Sequence, residues 1–181
     1  MKRSTWTVLM GAVLVAGTQL HAGDSTTPPA STKERIGVYD SRSVAVAYAG
    51  SAVHNKSMSA LIAEHEKAKA AGDHKRVAEL EAEAAARQQL MHKQGFSTAP
   101  VDYILELIQD SLPAIKKKAG VIALVSKWDK DTLAKHPAAE LVDVTVALVD
   151  AFNPSERQRR SAVEIQKHDP IPLEQAEKIK D

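Results

Sequence analysis

Asp40-Ser41-Arg42 places an acid, a hydroxyl and a base in consecutive positions. Such a triplet could serve nucleophilic catalysis if a general base stood within hydrogen-bond reach of the serine. No Gly-Xaa-Ser-Xaa-Gly elbow surrounds Ser41, and no histidine lies within ten residues of it. Asp40 or Ser41 as the N-cap of a following helix accounts for the same residues without chemistry. Histidine offers the other candidates. His54 and His92 lie almost symmetrically about Gly72-Asp73, so a hairpin closing there brings both imidazoles to its base. Two imidazoles could begin a metal site. A third ligand is not evident, since Asn55 and Gln94 are poor donors, and His65 and His74 do not pair across the turn. No His-Glu-Xaa-Xaa-His motif occurs. Isolated surface histidines are the simpler reading, so no metal is assigned. Gly37 and Gly50 stand alone rather than in a phosphate-binding loop, and no cofactor is assigned either. With no nucleophile–base pair and no carboxylate constellation, the residues do not describe an enzyme.

The elements that would position these residues follow from periodicity. Arg35 to Tyr39 is a strand candidate with Ile36 and Val38 on one face. From His54 to about residue 98 the chain is dense in Ala, Glu, Lys, Leu and Gln. Gly72 suits the left-handed position past a helix end, and Asp73 suits the next N-cap. Two helices folded back as a hairpin are expected, each of about 20 residues and roughly 30 Å long at 1.5 Å per residue. Met58, Leu61, Ile62 and Ala68 mark one arm. Val77, Leu80, Ala84 and Met91 mark the other, near a coiled-coil seam that Arg87 breaks. Mixed charges along both arms read as a solvated surface.

A third helix is expected to carry Tyr103, Ile104, Leu107, Ile108, Leu112 and Ile115 on one face. Pro113 should kink it, and Gly120 should end it after Lys116-Lys117-Lys118. Val121 to Ser126, a continuous apolar run, reads as the central buried strand. Leu141-Val142 can add a short strand. Asp143 or Thr145 can cap a final helix bearing Val146, Val149 and Phe152, with Trp128 packed against that helix and Phe152. Residues 154–181, with Arg157 to Arg160 as "RQRR", read as a polar C-terminal tail with a short closing helix after Pro172.

Aromatic residues make up only 4% of the 181 residues, which favours helices with thin, closely packed faces over a large interior. Residues 1–22 read as a signal peptide: Lys2-Arg3, an apolar stretch from Val8 to Val15, and Ala22 at the cleavage point. The apolar stretch is too short for a membrane span, so no stable span is expected after signal removal. No cysteine is present, which excludes disulfides and a lipid-modified cysteine. Residues 23–34, rich in Ser, Thr and Pro, read as a flexible linker. Loss of Lys2 and Arg3 from 24 basic residues leaves 22 against 23 acidic ones, which gives no electrostatic argument for a nucleic-acid partner.

The ordered pattern resembles the OmpH-like (Skp) family of periplasmic chaperones. Arg35-Ile36-Gly37-Val38-Tyr39-Asp40 is similar to that family's first strand, basic–Ile–apolar–Val–Asp or Asn. Ile115 to Gly120 with its three lysines, running into Val121 to Ser126, is similar to the return helix and strand. Asp143-Val144-Thr145 corresponds to Asp-Ile-Thr at the terminal helix. The resemblance implies an α+β fold over residues 35–153, with a small mixed sheet and a projecting hairpin at about 54–98. It implies a homotrimer whose arms hold unfolded outer-membrane or exported proteins without ATP, and a periplasmic location. It also implies that Val44 to Ala49 is helical, although the alternation of Val44, Val46 and Tyr48 suits a strand. This chain departs in having shorter arms, a near-neutral balance and the segment beyond Pro154. A non-chaperone envelope scaffold with the same fold is the alternative, and a metal- or small-ligand-binding periplasmic protein using His54 and His92 is the third reading.

Overall fold

Strand β1 (Arg35–Tyr39) lies at the centre of a three-stranded sheet of order β2-β1-β3, where β2 is Ala123–Ser126 and β3 is Glu140–Asp143. Both neighbours run parallel to β1, with Ile36 opposite Ala123 on one side and Leu141 on the other. The computed structural model describes residues 33–179. The expected signal peptide and almost all of the expected linker lie outside the described residues.

The fold is helix-rich α+β, as expected, but two details of the sheet are corrected. It is wholly parallel rather than mixed. The apolar run 121–126 contributes an edge strand at Ala123–Ser126, and β1 takes the centre. A five-residue strand carries no mark of direction, and β2 reads as buried because one of its faces packs on the core. Its flank is open: Ile122 is 63% exposed. Gly37 explains why β1 can sit in the middle. A Cβ there would meet Leu124 Cδ2 at 2.9 Å, Val121 Cγ2 at 3.1 Å and Val144 Cγ2 at 3.2 Å. Gly37→Ala is therefore expected to overpack the sheet and cost about 1–3 kcal/mol, read as a lower denaturation midpoint with an unchanged slope.

Asp40 ends β1 and caps α1 (Ser41–Ala49), accepting a hydrogen bond from Arg42 N. Residues 44–49 are thus helical. The alternating pattern misleads because α1 is covered on most of its circumference: Val44, Ala45 and Ala47 are buried, and Val46 and Tyr48 are half-buried. A helix buried nearly all round loses its 3.6-residue signature.

α2 (Ala52–Ala70) and α3 (His74–Phe96) follow, joined by Gly72 at φ +71° and by Asp73, whose carboxylate accepts from Arg76 N. They run antiparallel, as the cross-helix bonds Arg87–Ser57, His65–Glu81 and Arg76–Glu64 show. Leu61, Ala68 and Leu80 form a small apolar cluster of their own, with Met58, Val77 and Ala84 against it.

The expected third helix is two. α4 (Asp102–Glu106) and α5 (Leu112–Ala119) are separated by a 3-10 turn at Gln109–Ser111. Pro113 does not kink an interior. It stands in the first turn of α5, where its missing N–H has no bond to lose. After β2, α6 (Lys130–Ala134) leads to β3, and α7 (Thr145–Asp150) packs beneath α1. The main core joins Ile104, Val44, Leu148, Val149 and Val101.

The segment expected to be an exposed tail instead forms α8 (Glu156–Glu164) and α9 (Leu173–Ala176) and packs on the rest. Ala162 and Ala176 are fully buried. Gln158 Nε2 donates to Gly50 O at 2.6 Å, and Ser97 Oγ donates to Ile171 O at 2.6 Å. Two alanines and a few backbone bonds do this work, so the polar composition concealed it. The short helix after Pro172 is where it was expected.

Candidate functional site

Parallel strands all end on the same side, and side chains just past their carboxyl ends converge there. Here those positions are Asp40 after β1, Lys127 and Trp128 after β2, and Thr145 two residues after β3. Asp40 is 0% exposed and Arg42 is 1% exposed. The carboxylate accepts from Arg42 Nε at 3.1 Å and Arg42 Nη2 at 2.8 Å, and Lys127 Nζ stands 2.6 Å from Oδ2. Trp128 Nε1 reaches Oδ1 at 3.4 Å, and the backbone N of Asp40 donates to Thr145 Oγ1 at 3.0 Å. Arg42 Nη1 donates to His168 O at 2.7 Å. Both cations also lie over the Trp128 ring, Arg42 at 5.1 Å and Lys127 at 4.6 Å from its centroid.

Burial alone would raise the Asp40 pKa. The hydrogen bonds and charges of Arg42 and Lys127 outweigh it and hold the carboxyl below its ordinary value. Ser41 Oγ is buried and has no hydrogen-bond partner among the described residues, so nothing there activates it as a nucleophile. The triplet is therefore a buried ionic joint. It locks the start of α1, the end of β2 and the C-terminal segment together. Trp128 belongs to this joint rather than packing against Phe152, which instead sets its ring edge-on to Tyr48 at 6.3 Å. Sequence reading missed Lys127-Trp128 as partners of Asp40. The signal lay in their place directly after a strand, legible only once that strand is known to be parallel to β1.

In front of the joint is a hollow of about 230 Å³ lined by Tyr39, Asp102, Ser126, Trp128 and Asp129 among others. Burial, with the Asp102 and Asp129 charges, pushes the Tyr39 phenol up to about 12, so it stays protonated at neutral pH.

The histidines are separated by the structure. His54 sets its ring edge-on to Tyr48 at 5.1 Å and lines one hollow with Met58, Arg87, Met91 and Tyr103. His92 packs near Phe96, with ring centroids 5.8 Å apart, and lines a different hollow with Ala45, Val46 and Phe96. Tyr48 is a wall of both. Among the described residues no group of three or more His, Asp or Glu side chains could hold a metal ion. Among them, too, no helix is long and apolar enough to cross a membrane.

The base of the hairpin is fixed to the core. Tyr103 Oη donates to Gln94 Oε1 at 3.0 Å, and Gln94 Nε2 donates to Pro100 O at 2.6 Å. Lys93 Nζ lies 2.6 Å from Glu177 of the C-terminal segment. Away from the base, α2 and α3 rest chiefly on each other, with Ile62 59% exposed on the outside. Comparison with protein-family models, with curated proteins and with solved structures found no match.

Proposed function

We propose that this protein is an exported, ATP-independent holdase-type chaperone or envelope-assembly factor, whose helical hairpin projects from the sheet and holds unfolded or exported proteins. The observation that carries this reading is that the hairpin has an apolar cluster of its own, separate from the main core. A parallel crossover from β1 to β2 needs only a dozen or so residues with one helix. The chain inserts α2 and α3 there as an extra unit that the sheet does not require. Its thin interior lets the arms flex, and its exposed apolar residues are scattered over the outer surface, which suits many weak contacts with a client. Several arms in one oligomer would bind by avidity rather than through a tight site. Exposed Ile122, just before β2, and Leu141, within β3, offer apolar area for copies of the chain to associate.

The near-neutral balance of residues 23–181 favours a second reading. It gives no long-range attraction for a charged client, and a scaffold that joins envelope proteins needs none. Suppression of aggregation of an unfolded outer-membrane β-barrel, run beside light scattering, separates the two. The holdase reading expects suppression at near-stoichiometric amounts by an oligomer. Absence of suppression leaves the scaffold, and a monomer removes the shared cavity.

A further inference from the structure

At the base of the hairpin the hollow bounded by Tyr48 and Tyr103 measures about 270 Å³. Three of its walls are soft or borderline metal donors: the His54 imidazole and the thioethers of Met58 and Met91. Met58 and Met91 are the only methionines beyond residue 10, and both line the same cavity as His54. His54 and Met58 are one turn apart on α2 and share a face. The bonds Ser57–Arg87 at 3.0 Å and His65–Glu81 at 3.4 Å set the antiparallel register, which puts position 54 across from positions 90 to 92 of α3, and of these Leu90 and Met91 line the hollow. The partner that sequence symmetry sought for His54 in His92 is thus its neighbour Met91. His92 lies around the helix, facing elsewhere.

We propose that this hollow binds one soft monovalent metal ion, Cu(I) or Ag(I), through His54, Met58 and Met91. Thioethers and imidazole are neutral ligands that favour Cu(I) over hard cations. No carboxylate lines the hollow to balance a divalent ion, and the Arg87 guanidinium on its wall opposes one. Arg87 is itself paired with Glu83, which tempers its field toward a single positive charge. Tyr48, edge-on to the imidazole, restrains its orientation. This site is independent of the client-binding reading.

The bland role for both methionines is to fill an irregular gap. An anaerobic titration of the full chain with Cu(I) against a chromophoric Cu(I) chelator distinguishes the two. It is run alongside Ag(I) additions followed through the methionine ε-methyl resonances. One equivalent is expected to bind, the signals of Met58 and Met91 should shift together, and Zn²⁺ should leave them in place. Met91→Leu conserves volume and should weaken Cu(I) binding at least tenfold without changing the melting curve of the metal-free protein. Resonances of Met58 and Met91 that ignore Ag(I) would overturn the proposal in the parent protein alone. So would a Met58→Leu/Met91→Leu variant that binds as tightly as the parent, or Zn²⁺ shifting these signals as Ag(I) does.

Discussion

Arg42→Met should lower the stability of the protein by about 3–5 kcal/mol, because it strands a buried carboxylate. Asp40 and Arg42 are both inaccessible to solvent, and their two side chains share two direct hydrogen bonds. The methionine would fill the volume but would leave Asp40 with Lys127 as its sole cation, and His168 O without its donor. A fall in melting temperature on the order of 10 °C follows for a domain of this size. The double change Asp40→Asn/Arg42→Met removes both charges and should recover part of the loss, since an apolar replacement of a whole buried pair is less costly than half of one. The pH dependence has a definite sign. The Asp40 pKa is lower in the folded state than its ordinary 3.8, so its contribution is complete well above 3.8 and is lost as pH falls below 3.8 and through the lower folded value. Asp40→Asn should accordingly flatten the acid limb of the stability curve. A melting temperature for Arg42→Met within a degree or two of the parent would contradict the joint.

Leu80→Ala should cost about 2–4 kcal/mol, but locally. Leu80 is the most deeply buried member of the hairpin cluster, enclosed by Leu61 and Ala68, with Met58 and Val77 only partly buried at its edge. Because that cluster is separate from the main core, the expected result is partial. Hydrogen exchange should accelerate in α2 and α3 while amides of β1 keep their protection. Uniform acceleration across the sheet would mean that the hairpin and core unfold as one unit.

Much of the element order was legible because it rests on strong local signals. Gly72-Asp73 marks the hairpin turn, Asp40 the start of α1 and Gly120 the end of α5, each through backbone geometry or a short-range bond. What was not legible depends on partners distant in sequence. The direction of β2 and its place at the edge are set by pairing with β1, which leaves no trace in "ALVS". The helical state of residues 44–49 was hidden by burial from most sides. The packing of residues 154–179 rests on Ala162, Ala176 and backbone carbonyls rather than on an apolar stripe. The site followed the same division. Asp40 as a cap could be read from three residues, whereas its enclosure by Lys127, Trp128 and Thr145 required the topology. His54 and His92 were paired by counting from the turn, and the counting was sound to within one residue. A helix rotates by 100° per residue, which is enough to send His92 to another face and bring Met91 in.

In the function we propose, the exposed outer residues of the hairpin, rather than the strand-end joint, contact the client. The most direct measurement compares the parent with Val53→Ser/Ile62→Ser/Leu90→Ser in suppressing aggregation of an unfolded outer-membrane β-barrel. All three side chains are exposed, so the melting temperature should hardly change. The parent is expected to suppress aggregation, and the triple variant to lose most of that effect. Equal suppression by both proteins, or none by the parent, would contradict it.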